Sequence, residues 1–308
     1  MKTVIAIDSF KGSLDTFLAG EAVACGVKKV YPEAQTVISP IADGGEGTLD
    51  AVIFACNGEI VRLEATSPMG EKISVRYGIV NNNTAVVEIA EAAGITLVEK
   101  DKRNPMKTTT YGVGEIIKDA VVRGCREFIV GLGGSVTNDG GVGMLTALGF
   151  EFYDADSKPV EMGAQGLEKL IKIENKNSLP ELSECKFYLA CDVKNPLCGP
   201  LGCSAVFAPQ KGASAHDIEK MDKWLEKYAD VTKALYPSSD KNAEGAGAAG
   251  GLGFAFMAYL DYETYESNNQ HSKRKQFFIC NILHRHNPLS QGATAPYTYY
   301  NTMRQWIQ

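Results

Sequence analysis

The sequence predicts an α/β protein of two α/β domains, and three observations carry that prediction. Over the first 56 residues, short β-branched runs alternate with helical stretches, the pattern of a parallel sheet covered by helices. From residue 59 the pattern changes to three consecutive strand-like runs with no helix between them, which implies antiparallel pairing and a new domain starting near residue 66. Finally, the pattern Asp-Gly-Gly-x-Gly occurs twice, at residues 43–47 and 139–143, each time after an apolar strand and before a helical stretch.

The elements follow in order. Lys2–Ile7 is a buried strand. Ser13 is the expected helix cap, with Asp15 in the first turn facing the positive dipole end. The helix should run to about Val30, because Tyr31-Pro32 stops it. Residues 36–41 form a second strand and residues 47–56 a second helix. Glu59–Thr66, Lys72–Val80 and residues 84–90 are strands, separated by the turn sequences Pro68-Met69-Gly70 and Asn81-Asn82-Asn83. Residues 111–123 are amphipathic, with Val113, Ile116, Ile117, Ala120 and Val121 on one face and Gly124 at the end. Residues 127–132 and 186–192 are further strands. Residues 214–235 make a long helix capped by Ser214, with Ile218, Met221, Leu225 and Tyr228 as its core stripe. The apolar, Gly-rich stretch 245–260 reads as a buried helix.

Composition excludes several classes. The 308 residues carry 31 Lys+Arg against 37 Asp+Glu, a formal charge of −6. This balance argues against a nucleic-acid partner and against docking on an anionic membrane. An unbroken run of only four apolar residues, Val4 to Ile7, precedes Asp8, too short for a signal peptide, and no run reaches the roughly 18 apolar residues of a membrane span, so a cytoplasmic protein is expected. Of the eight Cys, none forms a Cys-x-x-Cys pair, and they read as reduced thiols. The totals also hide a break. Residues 261–308 hold three of the four His, five of the 13 Tyr and one of the 31 Gly, with a charge of +2 against −8 for the rest.

The glycine loops carry the chemistry. A strand–Gly loop–helix junction gathers free backbone N–H groups and a helix N-terminus at one spot, which favours an anion. Candidate binding groups are Ser9, Lys11 and Gly12 in the loop after the first strand, then Gly44, Gly45 and Glu46 beside Asp43. In the stretch 131–141 they are Gly133, Gly134, Ser135, Thr137, Asn138 and Gly140, with Asp139 a candidate ligand for Mg²⁺. Arg103 and Lys107 precede three hydroxyls, Thr108-Thr109-Thr110, and could grip an acidic substrate or phosphates. Phosphoryl transfer needs charge neutralisation and a carboxylate that orients the attacking hydroxyl. Asp192 follows an apolar strand, where α/β proteins bind ligands, and is the first candidate for that base. Asp43 and Glu46 are rivals, and Lys11 is a candidate for neutralising charge at the centre. There is no Walker A sequence. Gly245-Ala246-Gly247-Ala248-Ala249-Gly250 matches a dinucleotide fingerprint but follows a polar loop where a strand is required, so an NAD-dependent dehydrogenase is the least favoured reading.

Collected in order, these segments resemble the bacterial glycerate kinase family. The residues that carry the resemblance are Ile7 through Ser13, Ala42 through Thr48, Asn104 through Gly112, Gly131 through Gly141, Ala190 through Leu197, Pro209-Gln210-Lys211-Gly212-Ala213 and Gly245 through Gly253. The resemblance implies a kinase that uses ATP and Mg²⁺ to phosphorylate D-glycerate, with 2-phosphoglycerate the favoured product. It implies one α/β domain inserted into the other: a Rossmann- or flavodoxin-like domain of residues 1–65 plus 245–260, and an inserted domain of 66–244. Residues 261–308 depart from the family pattern, which leaves the first domain incomplete and makes this tail a candidate for disorder. A frameshift or rearrangement near residue 260 is the expectation there. It would expose strand edges and weaken folding, and its limiting outcome is an impaired remnant that only binds anions.

Overall fold

The structure, a computed structural model, describes residues 1–10, 13–41 and 45–264. Lys11, Gly12, Asp43, Gly44 and everything from residue 265 onward lie outside the described residues. Met1–Glu266 forms one compact unit.

The chain opens as β1 (Lys2–Ile7), α1 (Thr16–Val30), β2 (Gln35–Pro40) and α2 (Thr48–Cys56). β1 and β2 pair in parallel, Lys2 opposite Gln35, as the strand–helix alternation predicts. The cap of α1 differs from the expectation. Asp15 is the N-cap, its carboxylate accepting from Leu18 N at 2.8 Å. Ser13 sits instead in a tight turn, where its N–H donates to Phe10 O at 2.7 Å. Both residues carry capping chemistry; the Phe10–Leu14 bridge decides between them.

β3 (Glu59–Thr66), β4 (Lys72–Val80) and β5 (Thr84–Glu88) form the expected antiparallel run. Their turns hold Gly70 at φ 92° and Asn81 and Asn82 at φ 53° and 60°. Then come α3 (Ala90–Ala93), α4 (Tyr111–Val122), β6 (Glu127–Gly131), α5 (Val142–Ala147), β7 (Glu151–Tyr153), β8 (Lys172–Glu174), β9 (Lys186–Ala190), α6 (Cys203–Phe207), α7 (Ala215–Leu235), α8 (Ala248–Tyr259) and β10 (Tyr262–Thr264). The main sheet has the order β10-β9-β6-β5-β4-β3, with β5, β6, β9 and β10 parallel. Glu59–Thr66, expected to close the first domain, is the edge strand of this large sheet. Residues 245–260, expected to belong with the first domain, carry α8, which packs into the core of the large sheet, and β10 just beyond them pairs with β9.

Helices lie on both faces of the sheet. Ala85 and Val87 join the main core beneath α4, whereas Val86, between them in sequence, is buried outside that core, as period-two alternation requires. α2 packs on β4 and β5, where Gly78 leaves room for Leu49 and Ile53. α7 begins with a reciprocal Ser214–Asp217 capping box, and Met221, Leu225 and Tyr228 are fully buried as predicted. Residues 245–260 are the buried helix the sequence suggested, with one addition: Ala249, Gly250 and Gly251 adopt positive φ and kink its start. Among the described residues no helix is long and apolar enough to cross a membrane.

Candidate phosphate site at the ends of the parallel strands

A cavity of about 290 Å³ opens at the C-terminal ends of β6 and β9. Its wall includes Gly45, Gly133, Gly134, Ser135, Asp192 and Lys211. The topology places it where parallel α/β sheets bind ligands. Five of its lining residues are candidates from the sequence, brought together from three separate motifs.

The Gly133-Gly134-Ser135 turn is held by its flanks. Leu132 N donates to Ala190 O at 3.1 Å, Ile95 N to Gly134 O at 2.8 Å, and Val136 N to Ala93 O at 2.9 Å. Gly134 stands at φ 72°, a conformation side chains disfavour. The N–H groups of Gly133, Gly134 and Ser135 donate to no protein acceptor among the described residues. Successive free N–H groups at a turn make an anion-binding concavity.

The second half of the same loop does different work. Asp139 is 1% exposed. Its Oδ2 accepts from Thr110 N at 2.8 Å, Thr110 Oγ1 at 2.9 Å and Gly143 N at 3.2 Å, and its Oδ1 from Gly141 N at 3.1 Å. Burial pushes its pKa up, against the pull of these hydrogen bonds. Both oxygens are thus engaged in tying the loop to α4 and α5, a structural task for the residue expected to be a Mg²⁺ ligand. Asn138 is buried and donates to Ser204 Oγ at 2.9 Å. Thr137 is buried too, and Gly140 N donates to Gly250 O at 3.0 Å. A Cβ on Gly250 would meet Thr137 O. The Gly245–Gly253 segment therefore buttresses this loop backbone against backbone, the close packing that its sequence context favoured over a dinucleotide site.

The cavity's other wall comes from the first domain-like unit. Gly45 lines it, and Ser9 docks alongside, its hydroxyl donating to Glu46 O at 3.1 Å. Two buried or half-buried contacts fix this segment on the large sheet. Arg76 of β4 holds Asp50 of α2 through two bonds of 2.8 and 2.9 Å and Glu91 of α3 through a third of 2.8 Å. Glu88, at the end of β5, accepts from Leu49 N at 2.6 Å in the first turn of α2. Glu88 is 5% exposed, and burial, with Glu91 and Asp50 nearby, pushes its carboxyl up to about 7. The proton is therefore held more tightly in the folded chain than in the unfolded one. The resulting stability is fully present below pH ~4.5 and is lost as pH rises through 7, a change of about 3 kcal/mol. Denaturant titrations from pH 5 to 8 should show the wild type losing stability relative to Glu88→Gln; parallel curves would contradict the assignment.

Arg103 and Lys107 are not brought to the cavity. The Arg103 guanidinium donates to the carbonyls of Val98 and Ile95 at 3.1 and 3.2 Å, and Lys107 is exposed on the surface. Asp192 is exposed at the cavity wall and makes no hydrogen bond or ion pair among the described residues, which leaves its carboxylate available. Lys11, Gly12, Asp43 and Gly44 lie outside the described residues. The residue the candidate set lacks is Lys211. It ends the turn Pro209–Lys211, is 2% exposed, and donates to Ser135 Oγ at 2.9 Å and Thr137 O at 2.7 Å. Its one sequence signal is the motif Pro209-Gln210-Lys211-Gly212-Ala213, in which Gly212 at φ 94° packs against Arg103 O.

A turn of free amides, a buried lysine and an exposed carboxylate meet at the ends of parallel strands, an arrangement of an α/β protein that suits an anionic ligand. The comparisons agree and go further: the sequence model of the glycerate kinase family matches residues 3–269, and the chain belongs to that family. The match runs a few residues beyond Leu260, where the compositional break was placed. A glycerate kinase of Haemophilus influenzae is 44% identical over 249 residues, 80% of this chain and 66% of that protein. A glycerate 2-kinase of Escherichia coli is also 44% identical, over 80% of this chain and 65% of that one. The crystal structure of a Salmonella typhimurium protein assigned as glycerate kinase 2 superposes with a TM-score of 0.81 at 39% identity, over 92% of this chain and 74% of that chain. The chain spans just under two thirds of the length of these two curated relatives.

Proposed function

We propose that this chain transfers the γ-phosphoryl group of ATP to D-glycerate, giving 2-phosphoglycerate and ADP. The observation that carries the reading is one cavity holding both the free-amide turn 133–135 and the available carboxylate of Asp192. The turn binds phosphate oxygens through backbone N–H groups. Asp192 orients a glycerate hydroxyl and accepts its proton as the oxygen bonds to the γ-phosphorus. The bond from that phosphorus to the β,γ-bridging oxygen breaks, and ADP leaves. Gly45 and the neighbouring Ser9–Glu46 contact close the cavity from the opposite wall. The names of the relatives support glycerate as the acceptor. Mg²⁺ would neutralise charge on the phosphates. The described residues contain no cluster of three His, Cys, Asp or Glu to hold it, and Asp139 is engaged, so no step here runs through the metal. A cytoplasmic setting, where ATP is abundant, suits the free cysteines. ³¹P spectra of the products should show phosphate on the 2-oxygen; ATP turnover that ignores D-glycerate would overturn the reading.

A second reading has its own observation. The β1–β2 layer and the α1 helix on it leave large apolar side chains in water, Val4 at 38% and Leu18 at 52% exposure among them. A unit with that little cover would bind phosphate while turning over poorly.

A further inference from the structure

We infer that Lys211 is the cation that grips the phosphate chain in this cavity, held in place by Ser135. The inference rests on the phosphoryl-transfer reading only for which phosphate ligand is natural. The geometry comes first. An ammonium carries three donors. Two of those on Lys211 are accounted for by Ser135 Oγ and Thr137 O, both on the loop whose N–H groups line the same cavity. No carboxylate lies within ion-pair distance of Lys211 among the described residues, although the side chain is 2% exposed. A buried cation without a paired anion is unfavourable, and a ligand anion at the wall would supply the missing charge.

Among the described residues, the titratable groups around it are Asp139, Cys203 and, on the cavity wall, Cys191 and Asp192; burial holds the Cys191 thiol neutral, up at about 11. Asp139 acts at a distance, its oxygens bound elsewhere. Burial pushes the Cys203 thiol up to about 12, so it stays neutral. Asp192 lies exposed on the cavity wall. Burial brings Lys211 itself down to about 8. At pH 8 about half the molecules therefore carry a neutral amine, and a bound polyphosphate should draw in about half a proton.

Calorimetry of the full chain with inorganic tripolyphosphate and with ATP at pH 8, in two buffers of different ionisation enthalpy, reads that uptake directly. The wild type should take up about half a proton per ligand. Lys211→Met should bind about 10-fold to 100-fold more weakly with no uptake. Lys211→Arg, permanently charged, should retain binding but not uptake. Absence of tripolyphosphate binding by the wild type, or unchanged affinity and uptake in Lys211→Met, would overturn the inference. The wild-type two-buffer result and Lys211→Arg decide the matter even if the Met variant folds poorly. Lys211-dependent binding without glycerate-dependent ADP formation would keep this site and remove the kinase reading instead.

Discussion

Asp192→Asn is expected to lower D-glycerate phosphorylation by about 10²- to 10⁴-fold, the usual worth of a positioned general base. The substitution keeps the shape of the side chain and removes its capacity to take the hydroxyl proton. Asp192 is exposed and makes no hydrogen bond among the described residues, so the fold has little to lose. The melting temperature should stay at the wild-type value and ATP should still bind, because the free-amide turn is on a different segment. The loss should therefore appear in kcat. A variant that turns over like wild type would take Asp192 out of the mechanism and return attention to Asp43 or Glu46.

Asp139→Ala should act in the opposite way, on stability. It would strand four buried donors, the Thr110 N–H and hydroxyl and the N–H groups of Gly141 and Gly143. An unsatisfied buried donor costs about 1–3 kcal/mol, and relaxation shares the burden, so a loss of about 3–5 kcal/mol is expected. Against a total of about 5–15 kcal/mol for an ordinary protein, that is severe. Asp139→Asn keeps one acceptor oxygen and should fall in between. The informative contrast is with metal. A structural Asp139 leaves the Mg²⁺ requirement of the folded Asn variant unchanged, whereas a ligand would raise it with little effect on unfolding.

That pair shows what the sequence could and could not convey. Asp43 and Asp139 stand at the head of identical five-residue patterns, and pattern alone does not separate a base from a metal ligand or a structural carboxylate between them. The burial of Asp139 depends on Thr110, far away in sequence, and no local spacing encodes it. β3 and β4 were legible to the residue, since Pro68-Met69-Gly70 and Asn81-Asn82-Asn83 mark their turns, whereas β5 ends at Glu88, two residues before the end of the run 84–90. The strands β6 and β9 end one or two residues earlier than their apolar runs, because Leu132 and Cys191 already belong to the loops that shape the cavity. Arg103 looked like a phosphate ligand because a cation beside three hydroxyls suits an anion. Its fork was captured by two backbone carbonyls, which only the folded loop supplies. Lys211 is the converse, a lone lysine whose importance lies in burial, a property absent from composition and period.

The most direct test of the central claim is ADP formation by the full 308-residue chain with ATP, Mg²⁺ and D-glycerate, run beside Asp192→Asn. ADP release that requires D-glycerate and collapses in the variant is the expected result. No glycerate-dependent release from a folded wild-type chain that still binds ATP would contradict the claim and leave a phosphate-binding module.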